Sequence, residues 1–363
     1  MPSATENPTN EPATMITNDF EPADTTDEQA DDLAQEELAP SGPSFADLGL
    51  SPALAAHVQS QGYLQPTPIQ ARAIPILLAG RDLLGQAQTG TGKTAAYGLP
   101  LLQRLDPTER RVQALVLVPT RELALQVVAA LLLLCPGRDP GIAAVYGGEP
   151  IGKQIRQLQM GAAVVVATPG RLLDHLERGT VDFSGLRLCV LDEADEMLDM
   201  GFLPDVESIL ERTPPTRQTA LLSATLAGEI AQLAAQHLRN PELITVVSQI
   251  KTNENVEQRY VVVQPHVRAE AVARLLDVEV FEAALVFART KLGCDELTEA
   301  LQQRGVPCEA LHGDLAQPAR EAVIRRLRDG RLRVVVATDV AARGLDVPSL
   351  DLVVTVELPG QPE

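Results

Sequence analysis

Ala87-Gln88-Thr89-Gly90-Thr91-Gly92-Lys93-Thr94 follows closely on the apolar pair Leu83-Leu84 and leads into a helical segment. The order is strand, glycine-rich loop, helix. Glycines let the backbone turn tightly enough for its N–H groups to point inward at phosphate oxygens, and the N-terminus of the following helix adds positive potential. In this arrangement Lys93 holds the outer phosphates and Thr94 a magnesium ion. The strict spacing GxxxxGKT calls for glycine where this chain has Ala87, a departure that costs the motif some of its specificity.

The second half of the reading lies about one hundred residues on. Asp192-Glu193-Ala194-Asp195 closes the apolar run Leu188 to Leu191. A carboxylate at the C-terminal end of a strand, facing a phosphate loop, is placed to hold magnesium, and an adjacent glutamate to orient or deprotonate an attacking water. Asp192 is therefore assigned to the metal and Glu193 to the base role.

Around these two segments, runs rich in Val and Leu alternate with helical patterns: Ala114 to Val118, Ala163 to Ala167, Leu188 to Leu191 and Thr219 to Leu222. A second series follows at Val261 to Val263, Ala284 to Phe287, Val334 to Ala337 and Leu352 to Val356. Alternation of this kind predicts parallel strands joined by crossover helices. The stretch 246–258 is polar and reads as a linker. The expected organisation is a disordered acidic extension over 1–42, an α/β domain over 43–245, the linker, and a second α/β domain over 259–363.

Composition narrows the classes. The formal net charge is −19, but twelve of the 49 acidic residues and none of the 30 Lys and Arg fall within residues 1–71. The acid excess is thus concentrated at the N-terminus, and the remainder of the chain can carry a local basic stripe for a polyanion. The longest apolar run, Val127 to Cys135, is too short to cross a bilayer, and the acidic N-terminus lacks the pattern of a signal peptide. The four cysteines, Cys135, Cys189, Cys294 and Cys308, are widely spaced and form no CxxC pair. They indicate neither a disulfide framework nor a zinc site, and the expected location is the cytoplasm.

From about Phe45 to Pro359 the chain resembles the DEAD-box family of ATP-dependent RNA helicases. Besides the two segments above, the motifs are GYLQPTPIQ (Gly62 to Gln70), PTREL (Pro119 to Leu123), Gly147-Gly148, TPGR (Thr168 to Arg171), Ser223-Ala224-Thr225, VFARTK (Val286 to Lys291), HGD (His312 to Asp314) and ATDVAARGLDV (Ala337 to Val347). The resemblance implies two RecA-like domains, each a mostly parallel sheet flanked by helices, closing over ATP-Mg2+ and RNA.

It also implies roles. Phe45 stacks on adenine and Gln70 reads it, while Gln88, Thr89, Gly90, Thr91, Gly92, Lys93 and Thr94 surround the phosphates. Arg343 and Asp346 face the nucleotide from the second domain, and Asp339 helps to organise the loop that faces RNA there. Pro119, Thr120, Arg121, Gly148, Thr168, Pro169, Gly170, Arg171, Arg289, Thr290, Gly313 and Thr338 touch RNA. Such loops grip phosphates and sugars without reading bases, so the expected partner is single-stranded RNA or a short duplex of any sequence, with protein partners left unspecified. Ser223, Thr225 and Asp195 couple nucleotide state to strand separation; the two hydroxyls either bond the acidic loop or simply cap a helix.

Two departures are visible. Tyr63 stands where the family usually has phenylalanine, and the chain stops at Glu363 before an HRIGRTGR segment, whose arginines reach the ATP phosphates. The expectation is a truncated second domain with slowed hydrolysis. The alternatives are an RNA clamp without efficient turnover and a DNA-directed enzyme of the same build.

Overall fold

The computed structural model describes residues 42–357 apart from 89, 138, 227, 247–255, 343–346, 348 and 349. The acidic extension, nearly all of the linker, Thr89, Arg343 and Asp346 therefore lie outside the described residues.

Seven strands make the first sheet: β1 (Leu83–Ala87), β2 (Ala114–Leu117), β3 (Ile142–Val145), β4 (Val164–Ala167), β5 (Leu188–Leu191), β6 (Gln218–Ser223) and β7 (Glu242–Val246). Among the described residues, nine α-helices accompany them: α1 (Pro52–Ser60), α2 (Pro68–Leu78), α3 (Lys93–Gln103), α4 (Arg121–Leu134), α5 (Ile151–Gln159), α6 (Pro169–Glu177), α7 (Ala194–Asp199), α8 (Leu203–Glu211) and α9 (Glu229–His237). A second sheet follows, of β8 (Ala283–Phe287), β9 (Cys308–Leu311), β10 (Val334–Ala337) and β11 (Leu350–Thr355). Its helices are α10 (Arg268–Val278), α11 (Lys291–Gln303), α12 (Gln317–Arg328) and the short α13 (Asp339–Ala342).

Every pairing in both sheets is parallel, in the orders β3-β4-β2-β5-β6-β1-β7 and β11-β8-β10-β9. This is the expected α/β architecture. β2, β4, β5 and β6 are buried along their whole length, as strands covered by helices on both faces must be, and the continuous Val, Leu and Ala content of β2 and β4 follows from that. One apolar layer packs α2, α3 and α4 on one face of the first sheet; the other sets α6, α8 and α9 against the opposite face.

The strand reading needs one correction. Val261 to Val263 is not a strand: the segment has no ladder partner, and Val261 and Val262 are 71% and 88% exposed. Its β-branched run satisfies local propensity, but strand formation also needs a neighbour to take the backbone hydrogen bonds. Conversely β3, β7 and β9 escaped the pattern search. Among the described residues, no helix is long and apolar enough to cross a membrane.

Candidate active site and nucleic-acid edge

Strand order sets which loops meet. β6 lies between β1 and β5, so the loops leaving the C-terminal ends of these three strands share one stretch of edge. This is where open α/β sheets bind ligands. α3 begins at Lys93 from Gly92, whose φ of 89° is left-handed. That conformation favours glycine, and a Cβ there would stand 2.4 Å from Gln70 Nε2, so Gln70 would have to move. The buried Lys93 ammonium donates to Ala87 O at 3.1 Å and lies 4.0 Å from Asp192 Oδ1. Lys93 is thus drawn back onto its own loop, with its charge facing the acidic strand end.

Asp192 is 3% exposed. Its Oδ1 accepts from Glu193 N at 3.0 Å and its Oδ2 from the Tyr97 hydroxyl at 2.9 Å. Burial pushes its carboxyl up, against the opposing effect of Lys93. Glu193 has φ of 52°, one of two non-glycine residues with positive φ among the described residues. Such a conformation costs on the order of 1 kcal/mol or more and is retained where it aims a functional side chain. Burial, and next the Asp192 charge, raise Glu193 to about 7, the range suited to a general base at neutral pH. Among the described residues no three His, Cys, Asp or Glu gather as a metal cage. Magnesium uses few protein ligands and completes its shell with water and phosphate oxygens. One buried carboxylate and one hydroxyl beside a phosphate loop fit that ion.

Asp195 Oδ2 accepts from the backbone N–H groups of Ala224 and Thr225 at 2.9 and 3.0 Å. The acidic loop is therefore joined to the end of β6 through main chain. Neither alternative for the hydroxyls holds for Ser223, which donates to Thr225 O instead. Gln70, 1% exposed, accepts from Thr67 N at 2.9 Å and donates to Gly92 O at 3.1 Å. In this state both ends of its amide hold the start of α2 to the phosphate loop. Phe45 is committed to a cluster with Leu48, Leu54, Ile74 and Leu99, and at 4% exposure its ring offers little open face for stacking.

Farther along the same edge lie the loops after β2, β4 and β3. Thr120 caps α4 by accepting from Leu123 N. The Arg121 guanidinium lies 4.4 Å over the Tyr146 ring, pairs with Glu321, and keeps Nε and Nη1 buried without protein partners. Arg171 donates to Glu149 O at 2.9 Å and to Gln154 Oε1 at 3.2 Å. Gln154 is 1% exposed and donates to Tyr146 O at 2.9 Å, while His175 Nε2 lies 3.2 Å from its Oε1. One buried amide thus ties the Gly147-Gly148 turn to α6, which Thr168, Pro169 and Gly170 open. Burial, reinforced by Arg171, lowers the His175 pKa, so the neutral ring donates from Nε2 and its Nδ1 accepts from Thr180 Oγ1 at 2.8 Å.

In the second sheet Arg289 is exposed and 3.8 Å from Glu357. Thr290 caps α11 by accepting from Gly293 N, Gly313 is exposed, and Thr338, 7% exposed, precedes α13. Two further contacts join α4 to α12: Glu122 with Arg320 at 3.3 Å, and Arg121 with Glu321. The two Arg-Glu dipeptides pair crosswise.

Family comparison agrees with this geometry. The DEAD/DEAH box helicase model matches residues 67–233 and the helicase conserved C-terminal domain matches 267–363. A crystal structure of a DEAD box protein from Methanococcus jannaschii is 40% identical, covering 87% of this chain and 85% of that one, with a TM-score of 0.55. The chain belongs to the DEAD-box helicase family. Saccharomyces cerevisiae Dbp5 bound to RNA and ADP BeF3 aligns at 31% identity and a TM-score of 0.79, over 87% of this chain and 81% of that one. The ATP-dependent RNA helicase DeaD of Escherichia coli is 49% identical over 317 residues, 87% of this chain but 50% of the relative. The DEAD-box helicase CshA of Bacillus cereus is 46% identical over 320 residues, 88% of this chain and 61% of the relative. The chain thus spans about half to three-fifths of these curated relatives.

Within this DEAD-box chain, sequence reasoning missed Tyr97, Gln154, Arg320 and Glu321. Gln154 and Tyr97 sit in ordinary helical patterns, and only tertiary contact shows what their polar atoms hold. The one signal open to inspection was the repeated Arg-Glu pair at 121–122 and 320–321, which carries no meaning until α4 and α12 meet.

Proposed function

We propose that this chain is the core of an ATP-dependent RNA helicase, coupling ATP binding and hydrolysis to local separation of RNA strands in the cytoplasm. Residues 43–245 and 259–363 form its two ATPase lobes, joined by the linker 246–258 and preceded by an acidic extension. The observation that carries the reading is a division of labour along one sheet edge. A phosphate loop with Lys93, Asp192 and Glu193 occupies one half. The other half presents Arg121, whose two buried, unpartnered guanidinium nitrogens suit a nucleic-acid phosphate.

In this reading the loop from Gln88 to Thr94 takes the triphosphate, and Lys93 turns from Ala87 O toward the outer phosphates. Magnesium, held by Thr94 and Asp192, would supply charge neutralisation on those phosphates. Glu193 orients the attacking water and receives its proton. Gln70 exchanges its present partners for the adenine edge, and Phe45 reaches the base only if its cluster opens. Arg343 and Asp346 approach the nucleotide from the second lobe. Arg121, Arg171, the Gly148 turn, Arg289, Thr290, Gly313 and Thr338 hold the RNA backbone, favouring RNA through its 2′-hydroxyls. Asp195, bonded to the backbone at Ala224 and Thr225, carries the nucleotide state to that edge. The crosswise pairing of α4 and α12, and the better superposition on a relative bound to RNA and a nucleotide analogue, both support closure of the lobes as the working motion.

Steady-state ATP hydrolysis by this chain, measured alone, with single-stranded RNA and with DNA of the same sequence, tests the reading. Stimulation by RNA and little by DNA is expected. Turnover indifferent to RNA, or equal with DNA, overturns it.

A further inference from the structure

Tyr97 is fully buried among apolar side chains of α2, α3 and the first sheet. A phenol hydroxyl in such surroundings is costly unless it is bonded. Phenylalanine would fill the same space, so the oxygen needs a reason. It stands on α3 three residues after Thr94, on the same helix face, and its hydroxyl donates to Asp192 Oδ2 at 2.9 Å. One phenol therefore anchors the carboxylate assigned to magnesium.

The direction of the bond follows from counting protons. An ionised carboxylate only accepts, so the single phenolic proton goes to Asp192. At Asp192, Oδ2 is anchored by Tyr97, while Oδ1 accepts from Glu193 N and faces Lys93 at 4.0 Å. A cation requires lone pairs directed at it, and these two donors fix the plane in which the Asp192 lone pairs lie.

We propose that Tyr97 is a positioning residue for magnesium: by holding Asp192 Oδ2 it fixes the direction of the carboxylate oxygen offered to the ion. The proposal rests on the nucleotide-site reading above. It assigns no chemistry to Tyr97 itself.

Tyr97→Phe removes one oxygen and keeps the ring. The test measures affinity for a fluorescent ATP analogue against free Mg2+ concentration, with no turnover needed. With magnesium chelated, wild type and variant should bind alike. The Mg2+ concentration that half-restores tight binding should rise ten- to a hundredfold in Tyr97→Phe, the usual loss when a residue supporting a metal ligand is removed. Asp192→Asn should cost much less in the Tyr97→Phe background than in wild type, because both changes break the same contact. Superimposable Mg2+ dependences, with ATP bound by both proteins, overturn the role of Tyr97 and leave the nucleotide site standing. Failure of the wild type to bind ATP at any Mg2+ concentration overturns both.

Discussion

Replacing Glu193 by glutamine should stabilise the chain at pH 8, free of nucleotide and magnesium, and leave it nearly unchanged at pH 4.5. Burial and then the Asp192 charge raise this carboxyl from 4.5 to about 7. A raised value means that the folded chain holds the proton more tightly than the unfolded chain does. The stability contributed by Glu193 is therefore fully present below pH 4.5 and is lost as pH rises through 7. Glutamine is neutral throughout and keeps the same backbone, so it escapes that loss. The interval from 4.5 to about 7, at about 1.4 kcal/mol per unit, sets an upper limit of about 3.5 kcal/mol. Solvent screening of a partly exposed side chain brings the expected gain to about 1–2 kcal/mol. Urea unfolding followed by circular dichroism, in steps from pH 4.5 to 8 with chelator present, measures it. Parallel stability profiles, or a less stable variant at pH 8, would refute the reasoning.

Three further perturbations probe other parts of the edge. Gln154→Leu strips partners from Tyr146 O, Arg171 and His175, and should weaken RNA binding more than tenfold while leaving ATP affinity intact, since each buried group left unpaired costs about 1–3 kcal/mol; paired titrations with RNA and with nucleotide check this. Gln70→Ala should cut the preference for ATP over GTP by about tenfold, at the low end of the 1–3 kcal/mol that a bidentate base contact gives elsewhere, as read from competition binding. In a double-mutant cycle of Glu122→Gln and Arg320→Gln, a coupling of about 1–2 kcal/mol should appear in the fraction of molecules with closed lobes. Energy transfer between dyes on the two lobes reports that fraction, and additive effects would show that the pair does not hold them.

What could be read in advance was whatever local chemistry forces. Position 92 favours glycine because its backbone is left-handed and Gln70 crowds it, so the phosphate loop announces itself. Asp192 and Glu193 are legible because the acidic run ends an apolar strand about one hundred residues after a phosphate loop; taken alone, such a run reads as easily as a solvated loop. Val261 to Val263 misled because strand propensity is local, whereas a ladder partner is not. Tyr97 and Gln154 were invisible for the complementary reason: each looks like an ordinary helical residue until the fold brings Asp192 to one and Arg171 and Tyr146 to the other. At Ser223 the expectation fixed on side-chain hydroxyls, but the link to Asp195 runs through main-chain N–H groups, which every residue possesses and no motif displays.

The placement of β1 has a consequence for the order in which the molecule is made. Its ladder partners are β6 and β7, with Leu83 in register with Ala220 and Glu242, so nothing that has left the ribosome when the phosphate loop emerges can pair with the strand that carries it. At roughly 5–20 residues per second, the loop waits on the order of ten seconds or more for its first neighbour. The nucleotide site is encoded early and completed late. During that interval β1 is an exposed apolar segment with unpaired backbone groups, a hazard for aggregation, and a ribosome pausing between β1 and β6 would prolong it.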